Sequence, residues 1–253
     1  MATAEYIVNV LNKSEETQNY LFFNQQPSES QSVGQIYTNV WIKSPGVPSP
    51  RGQANFDVKV ANFAICGTTP KPVDYGVVVA TSDYAPVELT SNTKPGTSPV
   101  MAIVDDGPQF VEPYKTTKKD NSFGITTMPF DPDKYTTVYC GYGKYNNQNQ
   151  VVPVAVWRAQ PNKIYELTPV VKYYVATGDY SPGTTVDITT LSAVSEIDFT
   201  KAKPGQTIAT ITHNSNGTFS PPVFSYPAKP KPLGRMKNWA EMGKAEPPAI
   251  KSY

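Results

Sequence analysis

Histidine is almost missing from this chain: among 253 residues there is one, His213. Hydrolytic triads and most zinc sites set imidazole in company with other groups, so both fit poorly here. At the end of an apolar run and just before the turn Asn214–Gly217 (NSNG), His213 reads as a surface residue rather than a base. Cysteine is nearly as scarce. Cys66 and Cys140 are too few for a disulfide framework. Each precedes a glycine at a strand-like end, which suits a small buried hydrophobe, and a bridge requires the two strand ends to lie side by side. HExxH, CxxC, GxSxG and phosphate-cradling glycine motifs do not occur. Nicotinamide, ATP and zinc chemistry are therefore disfavoured, and no catalytic residue, metal ligand or cofactor is assigned.

Charge is thin as well. Charged residues make up 17%, with 22 basic against 21 acidic and a net charge of +1. Nucleic-acid binding leaves a basic patch or stripe, and none precedes the last stretch of the chain, so no nucleic-acid partner is expected. No apolar run reaches the roughly 18 residues that a membrane-crossing helix needs. The opening MATAEYIVNVLN has neither a basic nor a long apolar region, so no signal peptide is expected and the protein is read as cytoplasmic.

What the chain has instead is proline, tyrosine and β-branched residues: 25 Pro and 16 Tyr, with hydrophobic residues at 39%. Short alternating or apolar runs recur, separated by Pro/Gly clusters such as Ser44–Gly52 and Lys201–Gln206. Ala54–Cys66 alternates most cleanly, with Phe56, Val58 and Val60 on one face and Asn55, Asp57 and Lys59 on the other. Gln35–Lys43 reads as one strand, Gly76–Thr81 (GVVVAT) as an interior strand, and Asp105–Ser122 as an exposed polar loop. Strands spaced in this way predict an all-β, antiparallel β-sandwich over residues 1–226. Asn92–Pro99 is where it would divide if it consists of two packed β subdomains. Residues 227–253 form an extended Pro/Lys-rich arm, with one short helix at Met236–Gly243.

The stretch with the clearest binding character is Tyr135–Trp157. Two apolar runs, Thr137–Cys140 and Val151–Trp157, flank Gly141–Gln150, and the glycines are expected to relax the backbone where the chain reverses. Within that loop Tyr142 and Tyr145 offer flat faces for a sugar ring, and Asn146, Asn147, Gln148 and Asn149 offer donors and acceptors for hydroxyls. The competing reading is a polar hairpin loop that contacts nothing. Asp105 and Asp106, with Glu112, provide oxygen atoms of the kind Ca²⁺ prefers, but a DDG run is ordinarily a turn and the spacing departs from the EF-hand loop.

These features favour a non-enzymatic, soluble, β-rich binding protein, lectin-like, taking a glycan or another small polar ligand. Two alternatives stand beside it. One is a self-assembling structural or storage protein, a homo-oligomer joined through residues 227–253. The other is a cofactor-free enzyme.

Overall fold

The computed structural model describes residues 4–29 and 33–228. Their regular structure is almost wholly strand, arranged in four sheets. The widest has six strands in the order Thr185–Val186, Tyr37–Asn39, Val151–Arg158, Val138–Tyr145, Asn62–Thr68 and Asp83–Val87. A five-stranded sheet runs Gly107–Thr117, Gly96–Val104, Phe123–Thr127, Ile164–Thr168 and Ser28–Glu29. A four-stranded sheet joins Val194–Asp198, Lys172–Thr177, Tyr20–Asn24 and Ile42–Lys43. The last sheet runs Val223–Ser225, Ile208–His213, Ala4–Asn12 and Gln53–Lys59. Most neighbours are antiparallel; the parallel pairs are Ala4–Asn12 with Ile208–His213 and Phe123–Thr127 with Gly96–Val104. The expected all-β, sandwich-like architecture is what the chain adopts.

Side chains from all four sheets meet in one apolar cluster. Its centre is aromatic: the Phe22 ring stacks on Phe56 at 4.7 Å, Trp41 at 5.1 Å and Tyr173 at 5.5 Å between centroids. Gln53–Lys59 buries Ala54, Phe56 and Val58 while Gln53 and Asn55 stay exposed. But Lys59, expected on the wet face, is buried, and Val60, expected on the apolar face, is 59% exposed where the expected single strand Ala54–Cys66 breaks into Gln53–Lys59 and Asn62–Thr68. Residues before and after Asn92–Pro99, such as Val87 and Met101, share this cluster.

Four further local expectations are corrected. Gly76–Thr81 is not a strand: Val77 and Val79 are buried, Val78 is exposed and makes only an isolated bridge to Thr184. Asp105–Ser122 is not a loop, because Gly107–Thr117 pairs along Gly96–Val104. Asp105 and Asp106, at φ 48° and 62°, are its two-residue turn. Asp106 then accepts bonds from Lys134 Nζ (2.9 Å) and Tyr135 Oη (2.8 Å). Gln35–Lys43 is two short strands that change sheet at Val40 and Trp41, which is why both of its faces are buried. His213 is interior, 4% exposed, with Nδ1 3.2 Å from Tyr20 Oη and its ring stacked on Phe219.

Cys66 and Cys140 are free, fully buried and directly opposite each other on adjacent strands. The bond from Thr69 N to Thr137 O sets the phase of that ladder, which leaves the cysteines at a non-hydrogen-bonded position, where side chains approach most closely. Burial pushes both thiols well above the ordinary range, and the neighbouring Cys140 and Asp83 add to the effect at Cys66.

The expected helix at Met236–Gly243 lies outside the described residues, as does nearly all of the expected subunit-contact segment 227–253. Among the described residues the only helical turns are the 3-10 segments Ile188–Thr190 and Phe199–Lys201. No described helix is long and apolar enough to cross a membrane.

Candidate functional site

The central hairpin reaches further than its sequence implies. Val138–Tyr145 continues as strand through both glycines, so the reversal is confined to the tip at Asn146–Gln150. Gly141 and Gly143 serve close packing instead: a Cβ on Gly141 would stand 2.6 Å from Ala155 O, and one on Gly143 would stand 2.6 Å from Ile65 Cγ2. This registration decides the fate of the six residues expected to bind.

Tyr142 is fully buried, tilted against Phe123 with centroids 5.7 Å apart, and donates from Oη to Asn62 Oδ1 at 2.7 Å. It offers no face to a ligand, which corrects its expected role. Tyr145 is half-buried, packed edge-on against Phe63 at 4.8 Å with Lys59 Nζ 5.8 Å from its centroid. Asn146 builds the turn: its Oδ1 accepts from Gln148 N and Gln150 N, both at 2.9 Å, and its Nδ2 donates to Gln150 Oε1 at 3.1 Å. Asn149 takes the αL geometry at φ 63° and its Oδ1 accepts from Lys59 Nζ. Asn147 donates to Asn55 O at 3.3 Å. Asn146, Asn147 and Gln148 do stand together on the wall of a cleft of about 350 Å³ that also includes Trp41 and Phe56. The tyrosines are not part of it.

A second concavity is differently made. It lies where the strand Tyr20–Asn24 ends beside Lys172–Thr177, faced by Tyr75 and by the segment Val186–Leu191, and it holds about 480 Å³. Its floor is a small apolar cluster of its own, with Val186 buried and Ile188, Leu191 and Val194 packed against it. Thr185 fixes the facing loop. Its Oγ1 donates to Asp74 O at 2.6 Å and accepts from Val77 N at 3.0 Å, while its carbonyl accepts from Gly76 N at 2.9 Å. Gly76, at φ +78°, supplies the left-handed step that lets this loop close. Tyr75 is thereby held at the rim, 46% exposed, edge-on to Tyr37 at 5.1 Å.

Asn24 is the unusual residue of this groove. It is 1% exposed, and its Nδ2 donates to Gln25 O at 2.8 Å and Val170 O at 3.1 Å. Two carbonyls on the nitrogen side fix which way the amide points, since a flip would aim oxygen at oxygen. Its Oδ1 is left buried with no hydrogen-bond partner. Such an acceptor costs about 1–3 kcal/mol unless something donates to it. Around it, Tyr174 Oη donates to Gln25 Oε1, and Gln26 Nε2 donates to Ile36 O (2.9 Å) and Thr38 Oγ1 (3.1 Å). Burial, then Glu196 and Asp198, raise the Tyr174 phenol, so it remains a neutral donor.

Asp187 is the one charged residue on these walls. Its Oδ1 caps the 3-10 turn, accepting from Thr189 N at 3.0 Å and Thr189 Oγ1 at 2.6 Å. Its other oxygen makes no hydrogen bond among the described residues. The groove thus presents acceptors, an apolar floor, a tyrosine rim and no cation. Among the described residues no three of His, Cys, Asp and Glu are placed to hold a metal ion.

None of these groove residues stood out in the sequence. Asn24-Gln25-Gln26 reads there as the start of a Pro- and Gln-bearing loop, Tyr75 as the end of a proline loop, and Asp187 as part of a short strand Thr184–Ile188. The one available signal is a run of three amides directly after an apolar strand. A family model described as RhiA matches residues 3–220. No curated protein and no solved structure matches the chain.

Proposed function

The chain belongs to the RhiA family, and from that premise we propose that it is a non-catalytic binding protein for a neutral, hydroxyl-rich ligand, a carbohydrate, held in the groove beside Asn24. The observation that carries this reading is the open concavity lined by Asn24, Gln25 and Gln26, with an apolar floor and a half-exposed tyrosine at its rim. The amides of Gln25 and Gln26 and the carboxylate of Asp187 on its walls suit the hydroxyls of such a ligand. The face of Tyr75 and the apolar floor suit the less polar side of a sugar ring. Asp187, without a cation near it on these walls, disfavours acidic ligands such as phosphates or uronic acids.

Binding fits these walls better than hydrolysis does. Cleaving a glycosidic bond ordinarily takes two carboxyl groups flanking it, and the groove supplies Asp187 alone. The cleft at the hairpin tip supports the reading less well, because Asn146 and Asn147 are already joined to Gln150 and to backbone atoms of Gln148, Gln150 and Asn55.

The test is a glycan array spanning neutral, amino and acidic sugars, read with the wild type, Asn24→Ala, Tyr75→Ala and Gln148→Ala, each first shown to be folded by its melting curve. Retention of neutral sugars by the wild type and by Gln148→Ala, with loss in the other two variants, is expected. Retention that is abolished by Gln148→Ala and untouched by Tyr75→Ala would move the site to the hairpin tip. No retained sugar removes the carbohydrate reading.

A further inference from the structure

The groove beside Asn24 does not stop at Tyr75. A second concavity of about 350 Å³ adjoins it, lined by Tyr180, Thr190 and Gly76 and sharing Tyr75, Val186 and Asp187 with the first. Tyr75, shared by both, is 46% exposed, and Tyr180, on the outer concavity, is 42% exposed. Two large rings left in water along adjoining concavities suit an occupant that reaches both.

Resting on the carbohydrate reading above, we propose that the groove takes a chain of at least two neutral sugar rings, one over Asn24 and the next over Tyr180, with Asp187 accepting a hydroxyl at the junction. The two halves have matching but unequal equipment. The inner half has the side-chain amides of Gln25 and Gln26; the outer half has the Tyr180 ring and the hydroxyl side chain of Thr190. Asp187 lines both halves, and its Oδ1 is held by Thr189 N and Oγ1, so the side chain is positioned before any ligand arrives. Neither half is lined by a lysine or arginine, which keeps the whole length suited to neutral rings. The inner half gives hydrogen-bond specificity for one ring and the outer half adds stacking area for the next.

Calorimetric titration separates this from a single-ring site. The probes are glucose with cellobiose, galactose with lactose, and mannose with α-1,2-mannobiose. The expected result is that, for at least one pair, the disaccharide binds ten-fold or more tightly than its monosaccharide. Tyr180→Ala, an exposed turn position, should then bring the disaccharide back to the level of the monosaccharide and leave the monosaccharide unchanged. Tyr75→Ala should weaken both. Equal affinity within every pair, or a Tyr180→Ala protein that still prefers the disaccharide, overturns the two-ring proposal while leaving carbohydrate binding standing. No binding of any of the six sugars overturns the carbohydrate reading itself.

Discussion

The hairpin tip and the groove beside Asn24 are made from the same kinds of residue, tyrosine and side-chain amide, and use them in opposite ways. At the tip, Asn146 bonds to Gln148 and Gln150, Asn149 bonds to Lys59, and the Tyr142 ring is folded into the core. In the groove, Asn24 keeps an acceptor unused, and Tyr75 and Tyr180 leave their rings in water. Composition cannot separate the two. What separates them is where packing leaves the tyrosine rings, Tyr142 in the core and Tyr75 and Tyr180 in water, and that depends on neighbours distant in sequence. A stretch rich in tyrosine and asparagine is thus as well suited to closing a strand as to holding a ligand.

The strongest way to break the contrast is Tyr142→Ala. If the ring is a core element, removing it costs about 3–5 kcal/mol of stability, as for other buried aromatics. For a chain of this size that corresponds to a fall in melting temperature of roughly 6–20 °C, read by thermal denaturation. Tyr142→Phe, which keeps the ring and loses the bond to Asn62, should cost about 1 kcal/mol. A Tyr142→Ala protein as stable as the wild type would mean that the ring is a surface feature after all.

Asn146→Ala comes next. It removes the acceptor shared by two backbone amides and the donor to Gln150, in a tip that remains reachable by water. The expected loss is about 1–2 kcal/mol, with no change in ligand binding at the groove. A loss of sugar binding without a loss of stability would reverse the roles given to the two regions.

The architecture was legible because burial on one face writes itself into alternate residues. Gln53–Lys59 shows this directly, and the Pro/Gly clusters marked most of the strand ends. Errors arose where that rule has no purchase. Gly107–Thr117 is an edge strand with a mostly solvated surface, so its lysine, threonines and glutamate looked like a loop. Gly76–Thr81 has the composition of a strand, yet only the isolated bridge at Val78 gives it a partner. His213 looked exposed because a turn follows it, whereas Tyr20 and Phe219 enclose it from 193 residues and six residues away. The groove escaped for the same reason. Asn24, Tyr75 and Asp187 are brought together by two strand ends and a loop, and nothing local to any of them records that meeting.

His213 gives a gentler test of the interior. Burial holds its imidazole below the ordinary value of 6.5, so the folded protein keeps the ring neutral. Above pH 6.5 the folded and unfolded chains are both neutral at this position and stability is complete. As pH falls below 6.5, the unfolded chain takes up a proton that the folded one resists, and stability declines. The slope for one such group is at most about 1.4 kcal/mol per pH unit. Urea denaturation between pH 7 and pH 5 should show it, and His213→Gln should flatten it. An equally steep slope in the variant would assign the effect to other groups.

Native thiol labelling should be smaller still, near zero for both Cys66 and Cys140 with Ellman's reagent, because the sulfurs are enclosed and held protonated. Both should react once the chain is denatured.

The smallest stability effect belongs to Tyr75→Ala, and it completes the contrast with Tyr142. The Tyr75 ring touches Tyr37 edge-on at 5.1 Å and accepts a long bond of 3.5 Å from Gln35 Nε2. The loop beneath it is held by Thr185 through backbone atoms of Asp74, Gly76 and Val77, none of which the substitution removes. Its melting point should therefore lie within the spread of ordinary surface changes, about 0.5 kcal/mol either way. Two tyrosines of one chain would then answer the same substitution oppositely: one by unfolding readily while its remaining folded molecules bind as before, the other by folding normally and losing ligand. If Tyr75→Ala instead destabilises the protein as much as Tyr142→Ala does, the rim is structural, and the open groove owes its shape to that ring rather than to Thr185.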